Sequence, residues 1–278
     1  MRIDAHQHFW RYSSAEYDWI DDDLRALRRD FLPADLAPAL AAACMDGTVA
    51  VQARQSLEET DWLLALSDTS PLIKGVVGWV PLAAEGAAVG ALLDRYVSHS
   101  RFKGVRHVLQ AESDSYFADA AFNTALREVA RRGLTYDLLI FARQLPPALA
   151  WAREHESLPI VLDHIAKPVV NGRPSPEWRA QLQALARHPN LFCKFSGVAT
   201  EAPGWRWSPE LVRPYFDVAL EAFGPDRLMF GSDWPVCLAA TDYARWHAVV
   251  ESFTQPLAPA ERDAILGGTA TRAYRLSP

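Results

Sequence analysis

Eight short runs rich in apolar and β-branched residues recur along this chain, separated by longer Ala/Leu/Arg stretches of helical character. Strand and helix in strict alternation build a parallel sheet, because each helix carries the chain back across a sheet face before the next strand begins. The strand runs are 2–9, 48–53, 73–80, 102–108, 134–140, 159–165, 191–197 and 227–233. Helices are expected near 34–44, 57–68, 85–98, 119–132, 144–155, 175–187, 208–222 and 242–253, with a last one near 259–272. Eight such units suffice to close a (β/α)8 TIM barrel in one domain spanning 1–278. An open doubly wound sheet is the alternative, but the Gly-x-Gly-x-x-Gly loop of its nucleotide-binding form does not follow the first strand.

Composition narrows the function classes. Lys plus Arg total 28 against 34 Asp plus Glu, and no basic block stands ready to neutralise phosphates, so nucleic acid is not an expected partner. The opening Met1-Arg2-Ile3-Asp4-Ala5-His6 has no charged leader ahead of an apolar stretch and no run of about 18 apolar residues follows, which reads as a cytoplasmic protein with no membrane partner. The three cysteines, Cys44, Cys193 and Cys237, are odd in number and far apart, and read as reduced thiols rather than a disulfide frame. Oligomeric state is left open.

The longest interruption, 9–33, is an aromatic and acidic insertion directly after the first strand and is expected to lie over the barrel mouth. The loops at 168–176 and 202–209 fall on the same face.

His6 and His8 stand two apart on the first strand, and strand alternation sends both imidazoles to one side. A strand histidine alone is usually a structural residue. Here His164 closes the sixth run and Asp233 the eighth, both at the strand ends where barrel enzymes gather their chemistry, so four potential ligands converge from three strands.

With the opening Asp4-Ala5-His6-Gln7-His8-Phe9-Trp10, Leu162-Asp163-His164 and Gly231-Ser232-Asp233-Trp234-Pro235, the chain resembles the amidohydrolase superfamily in its amidohydrolase-2 branch. Arg28-Arg29-Asp30-Phe31-Leu32-Pro33, Phe102-Lys103-Gly104-Val105-Arg106 and Tyr136-Asp137-Leu138 are similar to the sugar-lactonase group, which includes L-fuconolactonases and L-rhamnonolactonases. The likeness spans nearly the whole chain. It departs from the many members with two metals: 134–140 supplies no lysine to bridge them and 191–200 no further histidine. His6, His8, His164 and Asp233 therefore resemble a mononuclear site whose nitrogen and oxygen ligands suit one Zn2+. The resemblance also implies that zinc can bind without being required.

The expected reaction is hydrolysis of a sugar lactone, with Asp233 as general base and the histidines or one metal polarising the carbonyl. A polyhydroxylated substrate calls for hydrogen-bonding groups and flat apolar surface near the strand ends, and Arg106, Lys194, Trp19, Trp79, His107 and Trp207 are the candidates. Asp137 is expected to face inward, Asp163 and Trp234 to face away from the barrel interior, and Gln52 closes the second strand with its direction open. Two other reactions compete. A dicarboxylated pyrone lactone needs several pocket arginines, whereas Arg106 alone is plainly placed; a mononuclear decarboxylase of the same branch needs an additional histidine where Gly197-Val198-Ala199-Thr200 stands.

Overall fold

The computed structural model describes residues 1–84 and 86–277. Eight strands, β1 (Ile3–Gln7), β2 (Gly47–Val51), β3 (Ile73–Gly78), β4 (Phe102–His107), β5 (Thr135–Leu138), β6 (Ile160–Leu162), β7 (Leu191–Phe195) and β8 (Leu228–Phe230), pair in sequence order. Every pairing is parallel. A parallel bridge between Gln7 and Trp234 joins the last strand's end to the first. The seam is sewn by Asp233 N–H donating to the His6 carbonyl at 2.8 Å and His8 N–H donating to the Trp234 carbonyl at 2.7 Å. The sheet is thus a (β/α)8 TIM barrel, and its closure runs through three of the four expected site residues.

The helices between strands are α1 (Pro33–Ala42), α2 (Leu57–Thr69), α3 (Gly86–Val97), α4 (Ala120–Arg131), α5 (Leu145–Ala152), α6 (Pro176–Leu185), α7 (Pro209–Phe223) and α8 (Tyr243–Thr254). Residue 85, where the third helix was expected to start, lies outside the described residues. Side-chain oxygens begin several of them: Ser56 accepts from Glu59 N–H, Asp119 from Phe122 N–H, Ser175 from Trp178 N–H and Asp242 from Arg245 N–H. The helix expected over 259–272 is broken into α9 (Pro259–Asp263) and α10 (Thr269–Ala273) by a wider turn at Ala264–Gly268. Gly267 sits there against the first strand, and a Cβ on it would lie 2.1 Å from the Met1 carbonyl oxygen.

Strand alternation divides the core. Ile160 and Leu162 pack outward with the helices, whereas Val161 joins Ile3, Val49, Val51, Val77 and Met229 in a separate buried cluster within the lower barrel. Tyr274 and Leu276, which follow α10, complete that cluster from below.

Two strands stop three residues before their apolar runs end. β6 ends at Leu162 and β8 at Phe230, so His164 and Asp233 stand in the turns beyond. His164, Ile165, Ala166 and Lys167 all have φ between 48° and 61°, a left-handed turn of four non-glycine residues. Each such residue costs roughly 1–2 kcal/mol in isolation, and the surrounding packing holds this one in place. Asp233 is left-handed too, at φ 58°.

Candidate active site

A cavity of about 420 Å³ opens at the C-terminal end of the strands, with His8, His164, Asp233 and Arg106 in its wall. Trp19, Asp21, Asp23 and Leu24 of the insertion line its mouth, opposite Lys167, Glu201 and Trp205. The insertion is held by its own aromatic nucleus, in which Trp10 contacts Tyr17, Trp19 and Phe31 edge-on or tilted. Tyr17 donates to Glu59 Oε1 at 3.1 Å, and Glu59 Oε2 receives Ala53 and Arg54 N–H at 2.9 Å each, so the roof is fastened to the start of α2.

Three imidazoles converge on one carboxylate oxygen. Asp233 Oδ1 lies 3.3 Å from His8 Nε2, 3.7 Å from His6 Nε2 and 4.0 Å from His164 Nε2. His8 Nδ1 donates to the Val51 carbonyl at 2.8 Å, which turns Nε2 toward Asp233. His164 Nδ1 is 2.8 Å from Ser196 Oγ. Burial alone would raise the Asp233 pKa, but His164, His8 and His6 outweigh it and hold the carboxyl well below the usual range. His164 is lowered to about 4, chiefly by burial. It is therefore neutral at pH 7, and both partners are in the state that base chemistry or metal binding requires.

The structure leaves no room for a side chain at Gly197, whose φ is 65°: a Cβ there would lie 2.7 Å from His164 Nδ1 and 3.0 Å from Asp233 Oδ2.

Beneath the cavity floor lies a charged group that alternation did not anticipate. Asp163 was expected to face away, but its carboxylate is fully buried inside, 3.0 Å from Arg106 Nη1, 3.0 Å from Lys194 Nζ and 3.2 Å from His6 Nδ1. The cause is the end of β6: once Leu162 leaves the ladder, the left-handed turn swings Asp163 and His164 inward together. Lys194, fully buried, does not line the cavity; it also pairs with Asp137. Asp137 faces inward and accepts from Tyr274 Oη at 2.8 and 2.9 Å. Burial raises Asp137 to about 6 against the pull of Lys194, whereas Lys194, His6 and Arg106 together overcome burial and hold Asp163 well below the ordinary range.

Among the other sequence candidates, Arg106 both lines the cavity and pairs with Asp163. Trp19 stands at the mouth, 38% exposed. Trp79, His107 and Trp207 are not brought to the cavity: His107 stacks on Tyr116 and bonds Glu112, Trp79 Nε1 turns toward His107 Nδ1 at 3.5 Å, and Trp207 donates to the Ala240 carbonyl. Trp234 packs outward against Phe9 and Phe31, as expected. Gln52 Nε2 donates to the Arg106 carbonyl at 3.3 Å. Lys167, Glu201, Asp21 and Asp23 escaped the sequence reading because they lie in turns, where no period announces which way a side chain points.

The geometry fits a single metal. His8 Nε2 and an Asp233 carboxylate oxygen face each other at 3.3 Å, close enough for one cation to take both as ligands. His6, His8 and Asp233 offer ligand atoms within 4.8 Å of one another, and nitrogen and oxygen donors of this kind suit zinc.

The family model described as amidohydrolase matches residues 3–276. The chain belongs to the amidohydrolase family. This amidohydrolase is 41% identical over 289 residues to an L-fucono-1,5-lactonase of Burkholderia multivorans, covering 99% of this chain and 96% of the relative. A second L-fucono-1,5-lactonase, from Burkholderia ambifaria, is 38% identical over 283 residues, with 99% and 96% covered. A crystal structure of an amidohydrolase from Burkholderia multivorans with bound zinc superposes with a TM-score of 0.94 at 41% identity, covering 100% of both chains. The amidohydrolase thus shares its fold and most of its length with lactone-cleaving and zinc-binding relatives.

The His164 pKa carries a consequence for stability. Its folded value of about 4 lies below the unfolded value near 6.5, so between those limits the unfolded chain binds the extra proton. The stability tied to this residue is present above pH 6.5 and is lost as pH falls toward 4. In urea unfolding at pH 7 and pH 4.5, His164→Gln is expected to show a smaller acid loss than the unaltered protein. An equal loss in both removes this residue as the cause.

Proposed function

We propose that the protein hydrolyses a sugar lactone, L-fucono-1,5-lactone or a close aldonolactone, to the open hydroxy acid in the cytoplasm, as a step of carbohydrate catabolism. The observation that carries the proposal is the convergence of His6, His8 and His164 on Asp233 at the base of an open cavity, in a chain 41% identical along nearly its whole length to an L-fucono-1,5-lactonase.

Asp233, ionised at neutral pH, takes a proton from a water whose oxygen attacks the lactone carbonyl carbon. The carbonyl oxygen gains the negative charge, which imidazole N–H groups or Arg106 at the cavity wall receive. Collapse breaks the bond to the ring oxygen, and Asp233 returns its proton there. A carboxyl held below its ordinary range is a modest base but a strong acid, which suits the second transfer. When zinc is present, His6, His8, His164 and Asp233 would hold it, and it would supply Lewis-acid polarisation of the carbonyl.

The mouth favours an uncharged substrate. Asp21, Asp23, Glu201 and Asp233 line the cavity against Arg106 and Lys167, and Arg106 is already paired with Asp163. A dicarboxylated lactone would meet this excess of negative charge, whereas a neutral polyol finds acceptors for its hydroxyls. Trp19 offers a flat face for the sugar ring, so Trp19→Ala is expected to raise KM about 5- to 30-fold, the equivalent of about 1–2 kcal/mol, with kcat little changed. A fall in kcat at constant KM would place Trp19 in the chemistry instead.

The direct test is a pH-indicator screen of aldonolactones with and without a strong chelator. Turnover of L-fucono-1,5-lactone or a stereochemical neighbour supports the reading, and activity on none overturns it. The chelator arm shows separately whether metal is needed.

A further inference from the structure

On the cavity wall opposite the insertion stand two charged side chains that do not meet. Lys167 Nζ and Glu201 Oε1 are 3.9 Å apart, with only 19% and 23% of their side chains exposed. An ammonium and a carboxylate in full contact close to about 2.7–2.9 Å, the length of a charge-assisted hydrogen bond. Among the described residues neither head has a hydrogen-bond partner. The backbone holds the two apart. Lys167 ends the left-handed turn that carries His164, its N–H donating to the His164 carbonyl at 2.8 Å. Glu201 ends the one-turn helix Val198–Glu201, which Thr200 Oγ1 pins by donating to the Gly197 carbonyl at 2.7 Å. Val170 N–H donates to the Glu201 carbonyl at 3.1 Å and ties the two turns together. The Phe141 ring, 5.7 Å from Lys167 Nζ, stands beside the ammonium.

We propose that Lys167 and Glu201 act as one specificity-determining pair that reads a ring hydroxyl of the substrate, the hydroxyl accepting from the ammonium and donating to the carboxylate. A single oxygen about 2.8 Å from each head spans the 3.9 Å between them. Among the groups of a sugar lactone only a hydroxyl carries both the proton and the lone pairs that this demands. A ring ether or a carbonyl can serve Lys167 but offers Glu201 nothing, and a methyl serves neither. A carboxylate on the substrate would suit Lys167 and be repelled by Glu201, so the pair selects against acidic ligands as well as for hydroxylated ones. Lys167 shares its turn with His164, and the helix of Glu201 follows Gly197, which packs against His164 and Asp233. A hydroxyl seated between the two heads is therefore held in register with the reacting groups. That this hydroxyl belongs to a lactone rests on the reading above; that the pair binds a cyclic polyol does not.

The test has two arms. In the first, L-fucose, a cyclic sugar with a hemiacetal where the lactone has its carbonyl, is titrated calorimetrically into the unaltered protein, Glu201→Met and Lys167→Met. The unaltered protein is expected to bind it, and each variant to bind about ten-fold or more weakly, as loss of a hydrogen bond to a charged group implies. Equal affinity in all three, or no binding by the unaltered protein, overturns the pairing. Should a methionine variant fail to fold, Glu201→Gln and Lys167→Gln keep the bulk and take their places. In the second arm, kcat/KM is compared on L-fucono-1,5-lactone and on δ-valerolactone, an ester ring of the same size without hydroxyls. Each variant is expected to lose about 10- to 100-fold on the first, chiefly through KM, and to stay within about three-fold on the second. An equal loss on both shows that the pair merely props the cavity and overturns its role in selection. Where δ-valerolactone is not turned over the first arm decides alone, and absence of turnover on both lactones sinks the lactonase reading while leaving polyol binding standing.

Discussion

Asp233→Asn is expected to lower kcat on an aldonolactone by about 10²–10⁴-fold, the range that general acid–base groups contribute. The substitution is close to isosteric and keeps an oxygen beside the three imidazoles, so substrate binding is expected to hold within a few-fold. The amide can neither take the proton from water nor return one to the ring oxygen. Steady-state kinetics with a binding measurement on the same protein separates the two effects. Retained turnover sinks the assignment of Asp233 as base. Unchanged affinity with no turnover in either protein points to a barrel that only binds its ligand.

Asp163→Ala is expected to cost about 3–5 kcal/mol of folding stability, the size of effect seen when one member of a buried ion group is removed. Arg106 and Lys194 currently face Asp137 and Asp163, two positive charges against two negative, all buried. Without Asp163 one cation is left uncompensated beneath the cavity. Urea midpoints measure the loss, and a change under 1 kcal/mol would show that water enters to replace the carboxylate. Asp163→Asn keeps the volume and is expected to fall between the two.

Much of the architecture was legible because a closed parallel barrel repeats one simple unit eight times, and the apolar runs marked each repeat within a few residues. The convergence of the quartet was legible for a related reason: His6 and His8 stand two apart at the end of β1, and His164 and Asp233 follow β6 and β8 by a few residues, where position alone points to the barrel mouth. Asp163 was misdirected because a two-residue period holds only while the strand lasts. The turn that reverses it, His164-Ile165-Ala166-Lys167, contains neither the glycine nor the asparagine that usually announces a left-handed backbone. Lys194 was read as a substrate contact since it points inward near a strand end; one layer deeper in the barrel, the same direction leads to the floor rather than the cavity. His107 and Trp79 stand at or beyond strand ends also, but neighbouring aromatic and acidic side chains engage them away from the opening. Such choices depend on partners distant in sequence, and no local pattern encodes them.

The bond from Tyr274 to Asp137 spans 137 residues of chain. During vectorial synthesis, β5 and β7 leave the ribosome with Asp137 and Lys194 in place long before Tyr274 emerges to complete their surroundings. The barrel seam between β1 and β8 waits as well, since Asp233 N–H must find the carbonyl of His6. The ground beneath the site is therefore completed only once Tyr274 has emerged, and a chain cut just before that residue would carry every histidine and aspartate of the site while lacking the phenol that steadies its foundation.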